Sequence, residues 1–305
     1  MPRRVLCVVN PEAAAGRART VWEVWRSRCA RESLVVDEAF SDGPGHALQL
    51  ARARAADYDV VVAAGGDGTV NEVANGLLLA EGARAALAIL PLGTGNDAAT
   101  QLGVLGLDAA AASLARGAPR TLDVIEAHFT ALGQSVTRYA LLFAAVGFAG
   151  ELIKRTTPRV KRIFGARLCY SVGFFRALGS YRAPRMVVRA GSQQFRGRMF
   201  HVCAGNAEWG GGGVMRHSPG ARWDDGKMDI CLIEALGRLE TVRYFPRLLR
   251  GSHVNHPKAT YLQGDALEVE SDPPLELQLD GDLVGRTPAS FRLQPGRLTV
   301  LAPPM

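Results

Sequence analysis

Val61–Gly76 reads VVAAGGDGTVNEVANG. An apolar run ends at two glycines, an aspartate follows, and a helical pattern begins. Without Cβ atoms, Gly65 and Gly66 let the backbone turn tightly and bring its N–H groups close to an anion. The start of the following helix favours negative charge there. Thr69 is placed to cap that helix or to bond a phosphate oxygen. Asp67 would repel a phosphate unless a cation such as Mg2+ lay between them. Asn71 and Glu72 open the helix, where Glu72 also suits the dipole. The same residues serve equally as an ordinary strand-to-helix turn. They match neither G-x-G-x-x-G nor G-x-x-x-x-G-K-[ST].

Two further loops share this character. VVNPEAAAGRA puts Asn10, Pro11 and Gly16 after the first apolar strand, and LPLGTGNDAA puts Gly93, Thr94, Gly95, Asn96 and Asp97 after the fourth. Between them, segments of strand and helix period alternate: RVLCVVN, ARTVWEVWRSRCARE, SLVVDEAF, GPGHALQLARARAAD, YDVVVAAGG, TVNEVANGLLLAEG and AALAILPLG. Continuous Val/Ile/Leu strands in such an alternation predict a mainly parallel sheet covered on both faces. The C-terminal ends of its strands would share one edge, where all three loops would meet. After about Leu122 the texture changes to closely spaced strands joined by Gly-rich turns, among them RYALLFAAVGF and KMDICLIEAL, which predicts an antiparallel β domain. The expected domains are 1–121, completed by a final strand 297–305, and 122–296, with a helical insertion at about Glu151–Leu178.

The chain has 305 residues and a formal net charge of +7, and the excess is uneven. From Leu152 to Ala207 there is no acid, but there are twelve Lys or Arg, from Lys154 to Arg198. Such a block attracts anions: nucleic acid, lipid headgroups or phosphorylated substrates. Within it, Ile163, Phe164, Phe174 and Phe175 mix with the cations as in an interfacial segment, and a helix packed into the core is the alternative for these aromatics. Five scattered cysteines without a CxxC pair argue for a reducing compartment and against a zinc site. The N-terminus lacks a secretory pattern, and the longest apolar run, Tyr139–Gly150, is shorter than the roughly 20 residues of a membrane span. No nucleic-acid module and no G-x-S-x-G are found.

Near the end, LELQLDGDLVG closes an alternating strand at Asp280-Gly281-Asp282. Phosphoryl transfer to an alcohol needs an acceptor for the hydroxyl proton. Two carboxylates across one glycine could supply it, and the same dipeptide also makes a plain hairpin turn.

These segments, in this order and spacing, resemble the diacylglycerol kinase catalytic-domain family, which includes sphingosine and ceramide kinases. The resemblance extends to SDGPGHALQLAR and to AGNAEWGGGGVMRHSPGARWDDGKMDICLI. It implies an α/β N-terminal domain of NAD kinase/phosphofructokinase type and a β-rich antiparallel C-terminal lipid-substrate domain. ATP would lie over Asn10, Ser41, Gly65, Gly66, Asp67, Gly68, Thr69, Val70, Asn71 and Thr94. Asp67 and Asp97 would organise Mg2+ and phosphate or position the acceptor. In ARWDDGKM, the carbonyls of Arg222 and Lys227 and the side chain of Asp225 match a structural Mg2+ loop. Asp280 matches the family's Asp-Gly-Glu aspartate, and Asp282 replaces its glutamate, shortening the reach by about 1.5 Å. The activity implied is ATP- and Mg2+-dependent phosphorylation of a lipid hydroxyl by a cytoplasmic protein that meets an anionic membrane through the basic block 154–198. No nucleic-acid partner is expected, and a homodimer is left open. A soluble-substrate kinase of NAD kinase type and a catalytically weak binding homologue are the alternatives.

Overall fold

A computed structural model describes residues 3–31, 34–156 and 158–303, with all their side chains except those at 31, 158, 159, 161–168 and 170. The side chains of Arg159, Lys161, Arg162, Ile163, Phe164 and Arg167 in the basic segment lie outside the described residues. The chain divides into two compact units, Met1–Leu122 with Gly296–Met305, and Asp123–Pro295.

In the first unit, β1 (Arg4–Val9), β2 (Val35–Phe40), β3 (Val60–Gly65) and β4 (Ala86–Pro91) stand in the order β4-β3-β1-β2. All three pairings are parallel. Val300, near the end of the chain, pairs in parallel with Leu87 of β4. Every residue of β3 is buried, which is why it reads as an unbroken apolar run rather than an alternation. The helices are α1 (Ala18–Arg31), α2 (His46–Arg54), α3 (Asp67–Leu79), α4 (Asp97–Gln101) and α5 (Gly106–Arg116). Trp22 and Trp25 of α1 are buried with ring centroids 5.7 Å apart. A Cβ on Gly76 of α3 would stand 2.6 Å from both the Leu48 carbonyl oxygen and the Ala51 Cβ of α2. Gly76 therefore sits mid-helix, against propensity, because two helix backbones approach there.

The second unit is built on antiparallel strands. Its elements are β5 (Ala118–Ala131, entering from the first unit), β6 (Gln134–Ala140), β7 (Phe143–Gly147), α6 (Phe148–Arg155), α7 (Pro158–Ser180), β8 (Arg185–Ala190), β9 (Gln193–Gly205), β10 (Met228–Glu234), α8 (Arg238–Arg250), β11 (Ala259–Gly264), β12 (Ala266–Asp272), β13 (Glu276–Leu279) and β14 (Asp282–Ala302). The antiparallel pairings β7–β9, β9–β8, β8–β12, β12–β14, β14–β13 and β13–β7 form a closed circuit. Closure leaves these strands without an open edge. Ile125, Val146, Val188, Val202, Ile230, Leu267 and Phe291 fill the core. β10 continues from β9, and β11 from β10.

One sequence expectation differs from the structure. The segment RYALLFAAVGF, read as one strand, is two, β6 and β7, because Leu141 and Leu142 turn the chain under the hold of Asp280 and Asn206. The helical insertion expected at about 151–178 is present, as the two helices α6 and α7. Thr156 ends the first by donating its hydroxyl to the Leu152 carbonyl (2.8 Å), and Pro158 opens the second at a position that needs no N–H.

Candidate active site

In the first unit, Val9 pairs with both Phe40 and Ala64, and Gly65 pairs with Pro91. The loops that follow β1, β2, β3 and β4 therefore leave one edge of a parallel sheet. Backbone bonds lace them together: Asn10 N–H to Ala64 O (3.0 Å), Ala14 N–H to Leu92 O (2.9 Å) and Leu92 N–H to Gly65 O (2.8 Å). A Cβ on Gly93 would stand 2.4 Å from Gly66 Cα, and one on Gly65 would stand 2.3 Å from Thr69 Oγ1. Gly66 and Gly93 thus answer first to contact between two loops, and Gly65 to the Thr69 side chain of the helix it leads into, in addition to any approach of an anion. Ala14 and Ala15 have φ of 53° and 56°, so the loop after β1 holds two non-glycine residues in the left-handed region ahead of Gly16 at 80°. Each costs on the order of 1 kcal/mol.

The side chains are drawn into the same lattice. Asn10 Nδ2 donates to Thr69 Oγ1 (3.1 Å), and Asn10 Oδ1 accepts from the Glu12 N–H (3.0 Å). Thr69 does not cap α3. The N-cap is Gly66, and no side chain caps the helix there. First-turn amides of a helix have no intrahelical partners, so this end is suited to an anion. Val70 donates its N–H to Gly66 O (3.0 Å) and is buried. Asn71 accepts from Asn75 Nδ2. Ser41 is buried at the end of β2 with its N–H on Val9 O (2.9 Å). Asn96, at φ 54°, brackets Gly93, accepting from its N–H (2.9 Å) and donating to its carbonyl (2.8 Å). Pro11, Gly68 and Gly95 are half-buried, and Gly16 and Thr94 are exposed.

Asp67 lies against the start of α4 and accepts the Ala98 N–H (3.3 Å). Burial raises its pKa, the neighbouring Asp97 raises it further, and the N–H groups of Ala98, Asp97 and Asn96 pull it down. Asp97 itself is buried. Two carboxylates are thus held close together at the meeting of two glycine loops. Glu72, read as a partner of its own helix dipole, instead accepts the N–H groups of Gly45 (2.7 Å) and Ala47 (3.1 Å) at the start of α2.

In the second unit, the carboxylate of Asp280 accepts three backbone N–H groups, from Leu141 (2.8 Å), Leu142 (2.8 Å) and Phe143 (3.0 Å). Its own N–H returns a bond to Phe143 O (3.0 Å). Asn206, fully buried, donates from Nδ2 to the carbonyls of Leu141 (2.8 Å) and Asp123 (2.7 Å). These two side chains hold the turn that separates β6 from β7. Asp280 (φ 48°) and Gly281 (φ 97°) make a tight left-handed turn, and Asp282 beyond it is exposed. Asp225 is exposed and accepts the Lys227 N–H (3.0 Å), closing its own turn, while Asp123 accepts the Gly226 N–H (2.7 Å). Arg222 donates to Asp224 (3.3 Å). Among the described residues no cluster of three or more His, Cys, Asp or Glu is placed to hold a metal.

Residues 4–127 match the family model "Diacylglycerol kinase catalytic domain", and residues 145–302 match "YegS C-terminal NAD kinase beta sandwich-like domain". The diacylglycerol kinase of Bacillus subtilis (strain 168) is 30% identical over 250 residues, covering 81% of this chain and 78% of that one. That of Staphylococcus haemolyticus (strain JCSC1435) is 31% identical over 247 residues, covering 80% and 71%. The chain belongs to the diacylglycerol kinase family. A crystal structure of a diacylglycerol kinase from Bacillus anthracis strain Sterne shares the fold, with a TM-score of 0.73 at 22% identity over 99% of this chain and 97% of that one. Yeast NADH kinase, complexed with NADH, is a more distant likeness in fold, with a TM-score of 0.50 at 10% identity over 98% and 83%.

Membership of a lipid kinase family gives the loop lattice of the first unit its chemical sense, but two bracing side chains, one in each unit, carried no strong signal in sequence. Glu72 reaches back to α2 across 27 residues, and Asn206 reaches Asp123 across 83. Asn206 stands in AGN, a segment the family resemblance covers, yet its partners are backbone carbonyls that no pattern of side chains reveals.

Proposed function

We propose that this member of the diacylglycerol kinase family transfers the γ-phosphate of ATP to the hydroxyl of a membrane lipid, diacylglycerol first among them, with Mg2+. The observation that carries this reading is the Asp67–Asp97 pair where the Gly65–Thr69 and Gly93–Asp97 loops touch. Asp67 is raised partly by the charge of Asp97, a conflict that a divalent cation relieves. One or two carboxylates completed by substrate phosphates is how Mg2+ is commonly held, so Asp67 and Asp97 fit the ion. Bound there, Mg2+ would neutralise charge on the phosphates. The uncapped start of α3 and the glycine loops would bind phosphate oxygens through N–H groups, with Thr94 and Asn10 at their rim. Asp282 would accept the proton of the attacking hydroxyl, while Asp280 positions the turn that presents it. The basic segment 154–198 would face the anionic bilayer through Arg176, Arg182 and Arg185, which are exposed. Lys154, Arg155 and Arg189 of that segment are engaged by Glu276 (2.9 Å), Glu151 (2.8 Å) and Glu270 (2.6 Å).

The test is transfer of label from γ-labelled ATP with Mg2+ to diacylglycerol, sphingosine or phosphatidylglycerol in mixed micelles, or to NAD in buffer. Label in a lipid is expected, and label in NAD alone overturns the lipid reading. Asp67→Asn keeps an acceptor for the Ala98 N–H but removes the charge. It should lower turnover by roughly 10²–10³-fold with thermal stability nearly unchanged.

A further inference from the structure

Helix α8 shows two faces. Thr241 and Tyr244 point into the unit and are buried. The outer positions Arg238, Leu239, Val242, Arg243, Pro246, Arg247 and Arg250 are all exposed. That face carries four arginines, three apolar residues and no acid. Leu239 is 77% exposed and Val242 38%, so the apolar positions of this face are presented to solvent together. The helix's one acid, Glu240, is turned aside to Lys258 Nζ (2.7 Å) and the Gly237 N–H (3.1 Å). No ion pair of Arg243, Arg247 or Arg250 is found among the described residues. The adjacent stretch of α7 adds to the surface. Phe245 packs on Phe174 with centroids 4.1 Å apart, Arg238 donates to Gly179 O (3.4 Å), and Phe175 beside Phe174 is 58% exposed.

We infer that the outer face of α8, together with Phe175, is the surface on which this protein lies against an anionic lipid bilayer. Cationic heads flanking a short apolar ridge match a headgroup layer over an acyl boundary. A second copy of the chain fits poorly, because a two-fold contact would bring the four arginines against themselves. The inference rests on the lipid kinase reading for the reason the protein visits a bilayer, and it extends the contact from the Phe175 end of α7 onto α8, a helix beyond the 154–198 segment.

The full chain would be sedimented with vesicles of phosphatidylglycerol and phosphatidylcholine, and with phosphatidylcholine alone. Binding to the anionic vesicles only is expected. R243E/R247E should weaken it by tenfold or more, since each nearby arginine contributes on the order of 1 kcal/mol. Turnover of a short-chain diacylglycerol dispersed in solution should be unchanged in that variant, which shows that the fold is intact. In L239W, the new indole should shift its emission to the blue on anionic vesicles. Binding that survives R243E/R247E, or an L239W emission that does not move, overturns the surface. A change of oligomeric state in R243E/R247E without lipid assigns the face to a second copy and also overturns it. If wild-type protein binds the vesicles and L239W shifts, but no lipid is phosphorylated, the surface stands and the kinase reading falls.

Discussion

Asp280 and Asp282 are separated by one glycine and differ in everything else. Asp280 takes three N–H groups from residues 141–143, and its own N–H goes to Phe143 O. A carboxylate so occupied is a better brace than a proton acceptor. Asp280→Ala would leave three amides without their acceptor, at a cost on the order of 3 kcal/mol. The melting temperature should fall by roughly 6–12 °C. Asp282→Asn should leave the melting temperature within a degree or two and lower turnover by about 10²–10⁴-fold. Thermal scans and initial rates on the two variants decide the matter. A stable Asp280→Ala protein would end the bracing role, and an active Asp282→Asn would end the base role. Neither difference can be read from DGD in the sequence, because Asp280's partners stand 137 to 139 residues away.

At the scale of elements, glycine in a helix and proline in a helix both misdirect a reading by propensity. Gly76 is required by the contact of α3 with α2, where a Cβ would strike the Leu48 carbonyl at 2.6 Å. Gly76→Ala gains about 1 kcal/mol of helix propensity and should still destabilise the protein, by a net of about 1–3 kcal/mol, because two backbones must separate. Urea denaturation checks the sign; a stabilised variant would mean that the helices slide apart at little cost. α8 carries Pro246 in its interior and still runs from Arg238 to Arg250, capped by Glu240 on the Gly237 N–H at one end and by the left-handed Gly251 at the other. Buried Thr241 and Tyr244 hold its inner face, and that tertiary contact outweighs the proline.

For the molecule as a whole, acid sensitivity is concentrated in the second unit. His201, His217 and His253 are held uncharged by burial, which lowers their pKa values to about 4, 3 and 4; the charge of His253 would also oppose that of His201, and both would oppose that of His217. Both nitrogens of His217 lack hydrogen-bond partners, and its ring stacks on Phe143 with centroids 4.2 Å apart. An unfolded chain protonates these rings near the ordinary value of about 6.5. The folded chain resists until roughly pH 4. Their contribution to stability is therefore complete above about pH 6.5 and is lost progressively as pH falls towards 4. His217→Phe fills the same stack without nitrogens to protonate. It should raise the melting temperature more at pH 5 than at pH 8, and an equal change at both pH values would show that His217 does not set the acid slope. Among the described residues no helix is long and apolar enough to cross a membrane.

The sequence alone determined the alternation of strand and helix before residue 122, the texture of short strands after it, and the three glycine-bearing loops that follow strands. Each of these rests on periods of two or 3.6 residues, or on backbone freedom at a turn, and such signals are local. The kinship with lipid kinases was legible for the same reason, since its motifs are short runs. Only the tertiary structure decided that Gly66 and Gly93 serve each other, that Glu72 caps a neighbouring helix, and that Asp280 and Asn206 split one apparent strand into two. It also gathered three scattered histidines and turned a basic, partly apolar face of α8 outward. In every such case the partner is a backbone group or a surface far away in the chain, and hydrogen bonding and close packing act on distance in space, to which sequence spacing gives no measure.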